Sequence, residues 1–280
     1  MLDSKKELTP VVYGEYPAKV IKSLKRNAGM LAIHAHWHDR VELHRIISGS
    51  MTLYCGDEQI VLREGDVSVI SPRLMHSAIA GSGGVVYDVI MFDMSLLQNA
   101  TAACEQLKPL VEGELIFNIS CCNPIITAKA DEIVNMHECR GQSSSLEALG
   151  SLYSLLGLLI KYCGTHRKTE RPGDDRFGGV IAHINEHFCE DISAASLSRE
   201  FGYDEAYFCR KFKRNTGLTV MKYIQIMRLE KARKLLRDTK DSVRQISLVC
   251  GFSDAAYFAN CFKRLYNMTP LEMRSAHIKK

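Results

Sequence analysis

The sequence repeats a short pattern near its carboxyl end: AYFCRKFKR at residues 206–214 returns as AYFANCFKR at residues 256–264. The segments before it also correspond, because LSREFG at residues 197–202 has the same spacing of apolar residues and glycine as ISLVCG at residues 246–251. One residue is added between the two segments in the second copy. A repeat of this length indicates that one small structural unit occurs twice in this part of the chain.

Each copy predicts two short helices joined by a tight turn. In the first copy, residues 194–201 form the first helix, Gly202 ends it in the left-handed conformation, and Asp204 caps the second helix. Phe208 and Phe212 are four residues apart, so they lie on one face of the second helix and are expected in the core. This is the pattern of a helix-turn-helix unit, whose second helix enters the major groove of DNA.

The second copy follows the same plan, with Ser253 as the expected cap and Phe258 and Phe262 as the expected core residues. Residues 220–238 lie between the copies and predict one amphipathic helix. Its length suffices to hold two reading helices about 34 Å apart, which is one turn of DNA. The two helix-turn-helix units are placed at about residues 194–215 and 243–265.

Residues 176–274 resemble the DNA-binding domain of the AraC/XylS family of bacterial transcription regulators. The matching positions are Leu197, Phe201-Gly202, Tyr207-Phe208, Phe212-Lys213, Thr216-Gly217, Arg228, Ala232, Leu235-Leu236, Ile246, Gly251-Phe252-Ser253, Tyr257-Phe258, Phe262-Lys263 and Pro270. Val220 departs from the family pattern, which often has proline at this position. A helix can still begin there, so the departure leaves the prediction of the connecting helix unchanged.

The resemblance implies which side chains contact DNA. The expected residues are Ala206, Tyr207, Cys209, Arg210, Lys213 and Arg214 in the first unit, and Ala255, Ala256, Tyr257, Ala259, Asn260, Lys263 and Arg264 in the second. Arginine and lysine suit guanine edges or phosphates, and asparagine suits adenine. Because many of the other positions are small, contact with thymine methyl groups and recognition of DNA shape are also expected.

The distribution of charge agrees with a polyanionic partner such as double-stranded DNA. Residues 172–280 hold 19 Lys and Arg against 13 Asp and Glu, whereas residues 1–171 hold 17 against 19. A basic half of this kind favours nucleic acid as a partner. The chain has 280 residues, of which 46% are hydrophobic, and this length suits two globular domains.

Several features predict a cytoplasmic protein. The ten cysteines form no Cys-x-x-Cys pair and no zinc framework, which favours free thiols in a reducing compartment. The amino-terminal residues are polar and lack the apolar segment of a secretory signal. The most apolar stretch, residues 148–160, is judged too short to cross a bilayer, so no membrane association is expected.

The segment from residue 30 to residue 92 predicts a β-rich domain. Short runs of strand-forming residues alternate there with turns, and a glycine-rich stretch at residues 81–84 is expected to separate two strands. The expected strands are residues 51–54, 59–62, 67–70 and 85–92. Several short strands at close spacing favour a sandwich or a barrel.

Two motifs in this segment resemble those of the cupin barrels. Residues 36–49 have the spacing His-x-His-x3-Glu-x6-Gly of the first motif, and residues 65–76 have Gly-x6-Pro-x3-His, without the usual second glycine of the second motif. On a strand, His34, His36 and His38 would project to one face. Together with Glu42 and His76, they are expected to line an effector pocket.

The same side chains also suit a metal. His36, His38, Glu42 and His76 form a nitrogen and oxygen set that would bind a divalent ion such as iron, manganese, nickel or zinc. Regulators of the family commonly keep such motif remnants with no known metal. An organic effector or a purely structural role therefore stands beside the metal site, and no cofactor is assigned as certain.

Two helices are expected after the strands, at residues 125–140 and 146–163. The second is apolar nearly all round, so it is expected to be buried, in its own domain or against a second subunit. Two DNA half-sites favour a two-fold dimer, and members of the family often dimerise through the N-terminal domain. A homodimer through Leu146–Cys163 is therefore predicted, and Leu152→Glu or Leu156→Glu is expected to give a folded monomer.

The sequence thus predicts an α+β multidomain protein. Residues 1–163 would form a cupin-like β-barrel with flanking helices that binds an effector and dimerises, residues 164–175 a polar linker, and residues 176–280 an all-α DNA-binding domain. The expected function is a sequence-specific transcription factor, not an enzyme, that regulates promoters in response to a small-molecule effector, with RNA polymerase as a further partner. The sequence leaves open whether it is an activator or a repressor. The alternatives are a cupin metalloenzyme fused to a DNA-binding domain, and a constitutive architectural DNA-binding protein with a vestigial barrel.

Overall fold

The structure is a computed structural model that describes residues 18–56, 58–93, 104–111, 114–121, 123–138, 144–166 and 175–278. Within these ranges the chain forms a β-rich N-terminal domain followed by an all-helical C-terminal domain, as the sequence predicts. The strands are β1 (Lys19–Arg26), β2 (Leu31–His36), β3 (Arg40–Cys55), β4 (Glu58–Arg63), β5 (Val67–Ile70), β6 (His76–Asp93), β7 (Leu115–Phe117), β8 (Ser120–Cys121) and β9 (Gly164–His166).

Two long strands, β3 and β6, organise the main antiparallel sheet. Their first and second halves have different neighbours, so that one half of the sheet has the order β1-β6-β3-β5-β8 and the other adds β2 on β6 and β4 on β3. Gly49 and Gly84 lie where the register shifts, both with positive φ, and a Cβ on Gly49 would lie 2.3 Å from the Gly84 carbonyl oxygen. Strand β6 therefore continues through the glycine-rich stretch that was predicted to interrupt it.

The two faces of the sheet cover separate cores. Alternate residues of β3, such as Val41 and Leu43, face a core shared with α1 (Cys104–Val111), α2 (Pro124–Glu138) and α3 (Ser144–Cys163). The other residues of the sheet, such as Ile46 and Tyr87, enclose a second core inside the domain. This period of two is what a strand buried on both faces requires.

Helix α3 packs on its own domain. Leu152 and Leu156 are 0% and 1% exposed, so glutamate at either position would bury a charge in the core. The prediction that these two substitutions give a folded monomer is therefore wrong. Among the described residues, α3 is the one helix long and apolar enough to cross a membrane, contrary to the expectation from residues 148–160. Its residues Leu152, Leu155, Leu156 and Leu159 nevertheless lie in the core of the domain.

The predicted linker, residues 164–175, begins with ordered structure. Gly164–His166 forms β9, which pairs with β7 in a separate two-stranded sheet. This pairing joins the end of α3 to a strand nearly fifty residues earlier, a long-range contact that local composition does not reveal. The remainder of the predicted linker, residues 167–174, lies outside the described residues.

The C-terminal domain contains two helix-turn-helix units joined by a long helix. Its helices are α4 (Asp175–His187), α5 (Ala194–Glu200), α6 (Glu205–Thr216), α7 (Val220–Asp238), α8 (Val243–Val249), α9 (Ala255–Tyr266) and α10 (Pro270–Ile278). The units are α5 with α6 and α8 with α9. The connecting helix α7 begins at Val220, capped by the side chain of Thr219, and thus keeps the bounds predicted from sequence.

Candidate DNA interface and effector cluster

Helix α6 of the first unit has a polar face directed outward and an aromatic face buried in the core. Asp204 caps it by accepting a hydrogen bond from the Tyr207 amide at 2.8 Å, and Gly217 ends it at φ +74°. Phe208 and Phe212 are fully buried, as predicted. Of the predicted DNA-contact residues in this unit, Cys209 is half-buried and the others are exposed, namely Ala206, Tyr207, Arg210, Lys213 and Arg214.

Helix α9 repeats this arrangement in the second unit. Asp254 caps it, accepting from the Tyr257 amide at 2.5 Å, so the cap is one residue later than the predicted Ser253. Phe258 and Phe262 are fully buried. Of the predicted contact residues, Ala255 and Ala259 are half-buried, and those that are exposed are Ala256, Tyr257, Asn260, Lys263 and Arg264.

One arginine of α7 joins the two units. The Arg228 guanidinium donates to the carbonyl oxygens of Phe188 and Glu190, before the first unit, at 2.5 and 2.7 Å, and to that of Gly251, in the turn of the second, at 2.8 Å. Gly251 has φ +85°, and a Cβ there would lie 2.3 Å from the carbonyl oxygen of Cys189. These contacts hold the turn of the second unit against the segment that leads into the first.

A separate group of polar side chains is buried in the N-terminal domain. The candidate ligand atoms of His36, His38, Glu42 and His76 all lie within 4.8 Å of one another. His36 and His76 are opposite each other in the β2–β6 pair, and Glu42 comes from β3. The structure thus brings together the four residues that the sequence predicted as metal ligands.

The orientation of the rings leaves nitrogen atoms directed into this cluster. The Nδ1 atoms of His36 and His76 donate to the carbonyl oxygens of His34 and Leu74, at 2.7 and 2.9 Å. Because a carbonyl only accepts, Nδ1 carries the proton and Nε2 keeps its lone pair. The Nε2 atom of His76 is buried, and its contact with Glu42 Oε2 is long, at 3.5 Å, so it makes no well-formed hydrogen bond among the described residues.

The protonation states also suit a metal. Burial, followed by the neighbouring His76, lowers the pKa of His36 to about 3, and burial likewise lowers the pKa of His76. Burial alone would raise the pKa of Glu42, but the charge of His44 and contacts with His38, His44 and His76 hold this pKa well below its usual value. Neutral imidazoles and an ionised carboxylate are the forms that bind a divalent ion.

His44 is a member of the cluster that sequence reasoning missed. Its Nε2 lies 2.8 Å from Glu42 Oε1, and its Nδ1 lies 2.9 Å from Ser68 Oγ. His44 orients the Glu42 carboxylate and is not itself one of the four candidate ligands. The period of two along a strand puts Glu42 and His44 on one face, and this signal in the sequence could have identified His44.

His34 lies elsewhere, contrary to the prediction that it shares a face with His36 and His38. Register shifts in the β2–β6 pair on both sides of Ile33 break the alternation of β2, and His34 Nε2 lies 2.8 Å from Glu230 Oε2 of α7. His34 and Glu230 line a cavity of about 610 Å3 between the two domains. Methionines, Phe188 and basic side chains of α7 complete its wall.

Two family models match this chain. The AraC-like ligand binding domain matches residues 30–156, and a helix-turn-helix domain matches residues 197–276. The chain belongs to the AraC family. The matched ranges contain the buried cluster and both helix-turn-helix units respectively, so the structural division into a β-rich and a helical domain corresponds to the ligand-binding and helix-turn-helix domains.

Relatives of this AraC-family chain include proteins named HTH-type transcriptional activators. RhaS of Escherichia fergusonii is 38% identical over 101 residues, which is 36% of each chain. RhaR of Mannheimia succiniciproducens is 32% identical over 127 residues, 45% of this chain and 46% of that one. RhaS of Salmonella schwarzengrund is 28% identical over 176 residues, 62% and 63%. The chain thus spans about a third to nearly two thirds of the length of these curated relatives.

The chain also has distant likenesses among solved structures. ToxT from Vibrio cholerae covers 92% of this chain and 98% of its own, with 14% identity and a TM-score of 0.43. The DNA-binding domain of AdpA, solved in complex with a target DNA, covers 37% of this chain and 94% of its own, with 24% identity and a TM-score of 0.36.

Proposed function

We propose that this chain is a sequence-specific DNA-binding transcription regulator whose N-terminal domain binds an effector. The observation that carries the proposal is the pair of capped reading helices, α6 and α9. Their outer faces expose Arg210, Asn260 and the basic side chains Lys213, Arg214, Lys263 and Arg264. The names of the RhaS and RhaR relatives favour an activator over a repressor. Its partners would be double-stranded DNA and RNA polymerase, its location the cytoplasm, and it would catalyse no reaction.

The effector has two candidate positions: the buried cluster, where the sequence predicts it, and the interdomain cavity, which the structure adds. His36, His38, Glu42 and His76 would hold a divalent ion, and the closeness of their candidate ligand atoms, all within 4.8 Å of one another, supports this choice. When bound, the ion would supply a Lewis-acidic charge that orders the ligands and binds an anionic or neutral oxygen ligand. An organic effector would instead fit the interdomain cavity beside His34, which has apolar and basic walls.

A homodimer through Leu146–Cys163 belongs to the same proposal, but its contact face differs from the one that contains Leu152 and Leu156. Leu152 and Leu156 are unavailable, because both are buried. Two apolar side chains of α3 remain exposed, Leu146 at 77% and Tyr162 at 44%, near opposite ends of the helix. A second copy that contacts the Leu146 end would cover the more exposed of the two.

The experiment that tests the proposal is selection of bound DNA from a random library by the purified full chain. A regulator should enrich one motif, and its affinity for that motif should fall steeply with salt as phosphate contacts release counterions. Replacing Lys213 and Lys263 together by glutamate is the matched control and should abolish binding while both side chains remain on the surface. If no motif is enriched, or binding does not depend on salt, the proposed function is wrong.

A further inference from the structure

The strands that carry the cluster also carry the contacts to the DNA-binding domain. On β2, Ala35 precedes His36, its amide donates to the Tyr223 hydroxyl of α7 at 2.9 Å, and its carbonyl accepts from Asn185 Nδ2 of α4 at 3.5 Å. Successive residues of a strand point to opposite faces. The residue beside this ligand therefore contacts the first half of the helical domain directly.

The second strand of the cluster has the same arrangement. On β6, Ser77 follows His76, and its buried hydroxyl donates to the carbonyl oxygen of Asn215 at 3.0 Å. Asn215 lies in the last turn of α6, the reading helix of the first unit. Because His36 and His76 are paired across the two strands, the two contacts to the helical domain lie side by side on the reverse of the cluster.

Apolar packing surrounds these polar contacts. Leu31 and Ala35 of β2 belong to one buried core with Phe212 of α6 and Tyr223 of α7. A Cβ on Gly217, the residue that ends α6, would lie 2.3 Å from the ring of Tyr54 in β3. The first helix-turn-helix unit thus completes its core with residues of the N-terminal domain, so a displacement of β2 or β6 reaches α6 through packed atoms.

We propose that metal binding at the cluster and DNA binding by the first helix-turn-helix unit are energetically coupled through Ala35 and Ser77. This inference rests on the proposed function and names the regulation of its effector site. The rings of His36 and His76 face each other across β2 and β6 with centroids 4.3 Å apart, and an ion shared by them would tie the two strands together at this point more firmly than ring contact does. The position of the two strands then determines the position of α6 and α7, because Ala35 contacts Tyr223 of α7 and Ser77 contacts Asn215 of α6.

Linkage makes the coupling reciprocal, which provides the test. If the metal changes the affinity for DNA by a certain factor, DNA must change the affinity for the metal by the same factor, typically about 5- to 150-fold between coupled sites. Co2+ is the probe, because its visible absorption reports binding by imidazole and carboxylate and distinguishes them from thiolates. Both affinities are measured with the full chain and its selected DNA motif, each in the presence and absence of the other ligand.

We expect a factor of at least about fivefold in the unsubstituted protein. The variant with Ser77→Ala and Tyr223→Phe removes the two shorter of the three hydrogen bonds, leaves only the 3.5 Å bond from Asn185 to Ala35, and keeps every ligand in place, so the factor should fall toward one. Ser68→Ala is the matched control: it removes the hydrogen bond to His44 on the far side of the cluster, so it should weaken Co2+ binding and leave the factor unchanged. Ser77→Ala alone, a milder change, should give an intermediate factor if the double variant is unstable.

Two results would overturn the inference. One is a factor within twofold of one in the unsubstituted protein, including the case in which no Co2+ binds to the cluster. The other is a double variant that keeps the full factor. Either result can occur while the chain still selects its DNA motif in a salt-dependent manner, in which case the proposed function stands and only the coupling fails.

Discussion

The role of Arg228 as the joint between the two helix-turn-helix units is open to a quantitative test. Arg228→Ala removes three hydrogen bonds from a charged donor to backbone carbonyls. Bonds to charged groups contribute roughly 1.5–3 kcal/mol each. The bond to Glu190 is exposed and contributes little, and the other two are partly buried, so the lower end of the range applies to them. The free energy of unfolding of the helical domain should fall by about 3 kcal/mol.

Loss of Arg228 should also weaken DNA binding, and this effect should be confined to the complete motif. Without Arg228 the two reading helices remain linked by α7 but lose their fixed orientation, so the second unit no longer meets the DNA at a high effective concentration. Affinity for the complete motif should fall roughly tenfold or more, and affinity for the half of the motif read by one unit should change little. Urea unfolding followed by circular dichroism and fluorescence anisotropy with labelled duplexes measure the two quantities.

Two controls make the outcome interpretable. Arg228→Lys keeps the charge but not the planar fork, so it should recover only part of the loss. Arg237→Ala on the same helix removes an exposed side chain that pairs with its neighbour Asp238, and it should change neither quantity measurably. If Arg228→Ala unfolds at the same denaturant concentration as the unsubstituted protein, or weakens complete and half motifs equally, the assignment of Arg228 as a joint is refuted.

Substitutions in a reading helix, in the cluster and in α3 test the remaining proposals. Arg210→Ala should cost about 1–3 kcal/mol on the selected motif and relax preference at one or two base pairs, whereas Lys213→Ala should weaken all sequences alike; a uniform loss from Arg210→Ala would instead make it a phosphate contact. His38→Ala should lower the metal content of protein purified without chelator, and unsubstituted protein lacking stoichiometric metal would contradict the site. Leu146→Glu should give a folded monomer in sedimentation and Leu156→Glu an unfolded N-terminal domain; an unsubstituted protein that sediments as a monomer would rule out the dimer.

Much of the helical domain could be read from the sequence because its determinants are local. The cap, the apolar pair four residues apart and the terminal glycine of α6 all lie within residues 204–217, and α7 begins directly after its own cap, so both helices form where they were predicted. The cap of α9 was misplaced by one residue because Ser253 and Asp254 are both good caps. Which of them accepts from the Tyr257 amide depends on how the preceding turn packs.

The N-terminal domain was predicted less completely because its contacts are distant in sequence. The motif spacing identified the four residues that the structure brings together in the cluster, but a strict alternation also assigned His34 to it. The register shifts in β2 turn His34 toward Glu230, nearly two hundred residues later. The same limitation hid β9, whose partner β7 precedes it by almost fifty residues.

The sequence by itself determined the division into a β-rich and a helical domain and the two helix-turn-helix units, and it supplied the candidate residues for DNA and metal binding, because repeats, caps and motif spacing are properties of short segments. Only the tertiary structure decided which face of α3 is buried, that His44 orients Glu42, and that Ala35 and Ser77 contact the DNA-binding domain. These features arise where separate elements pack together, and burial and hydrogen bonding between distant residues depend on the complete fold.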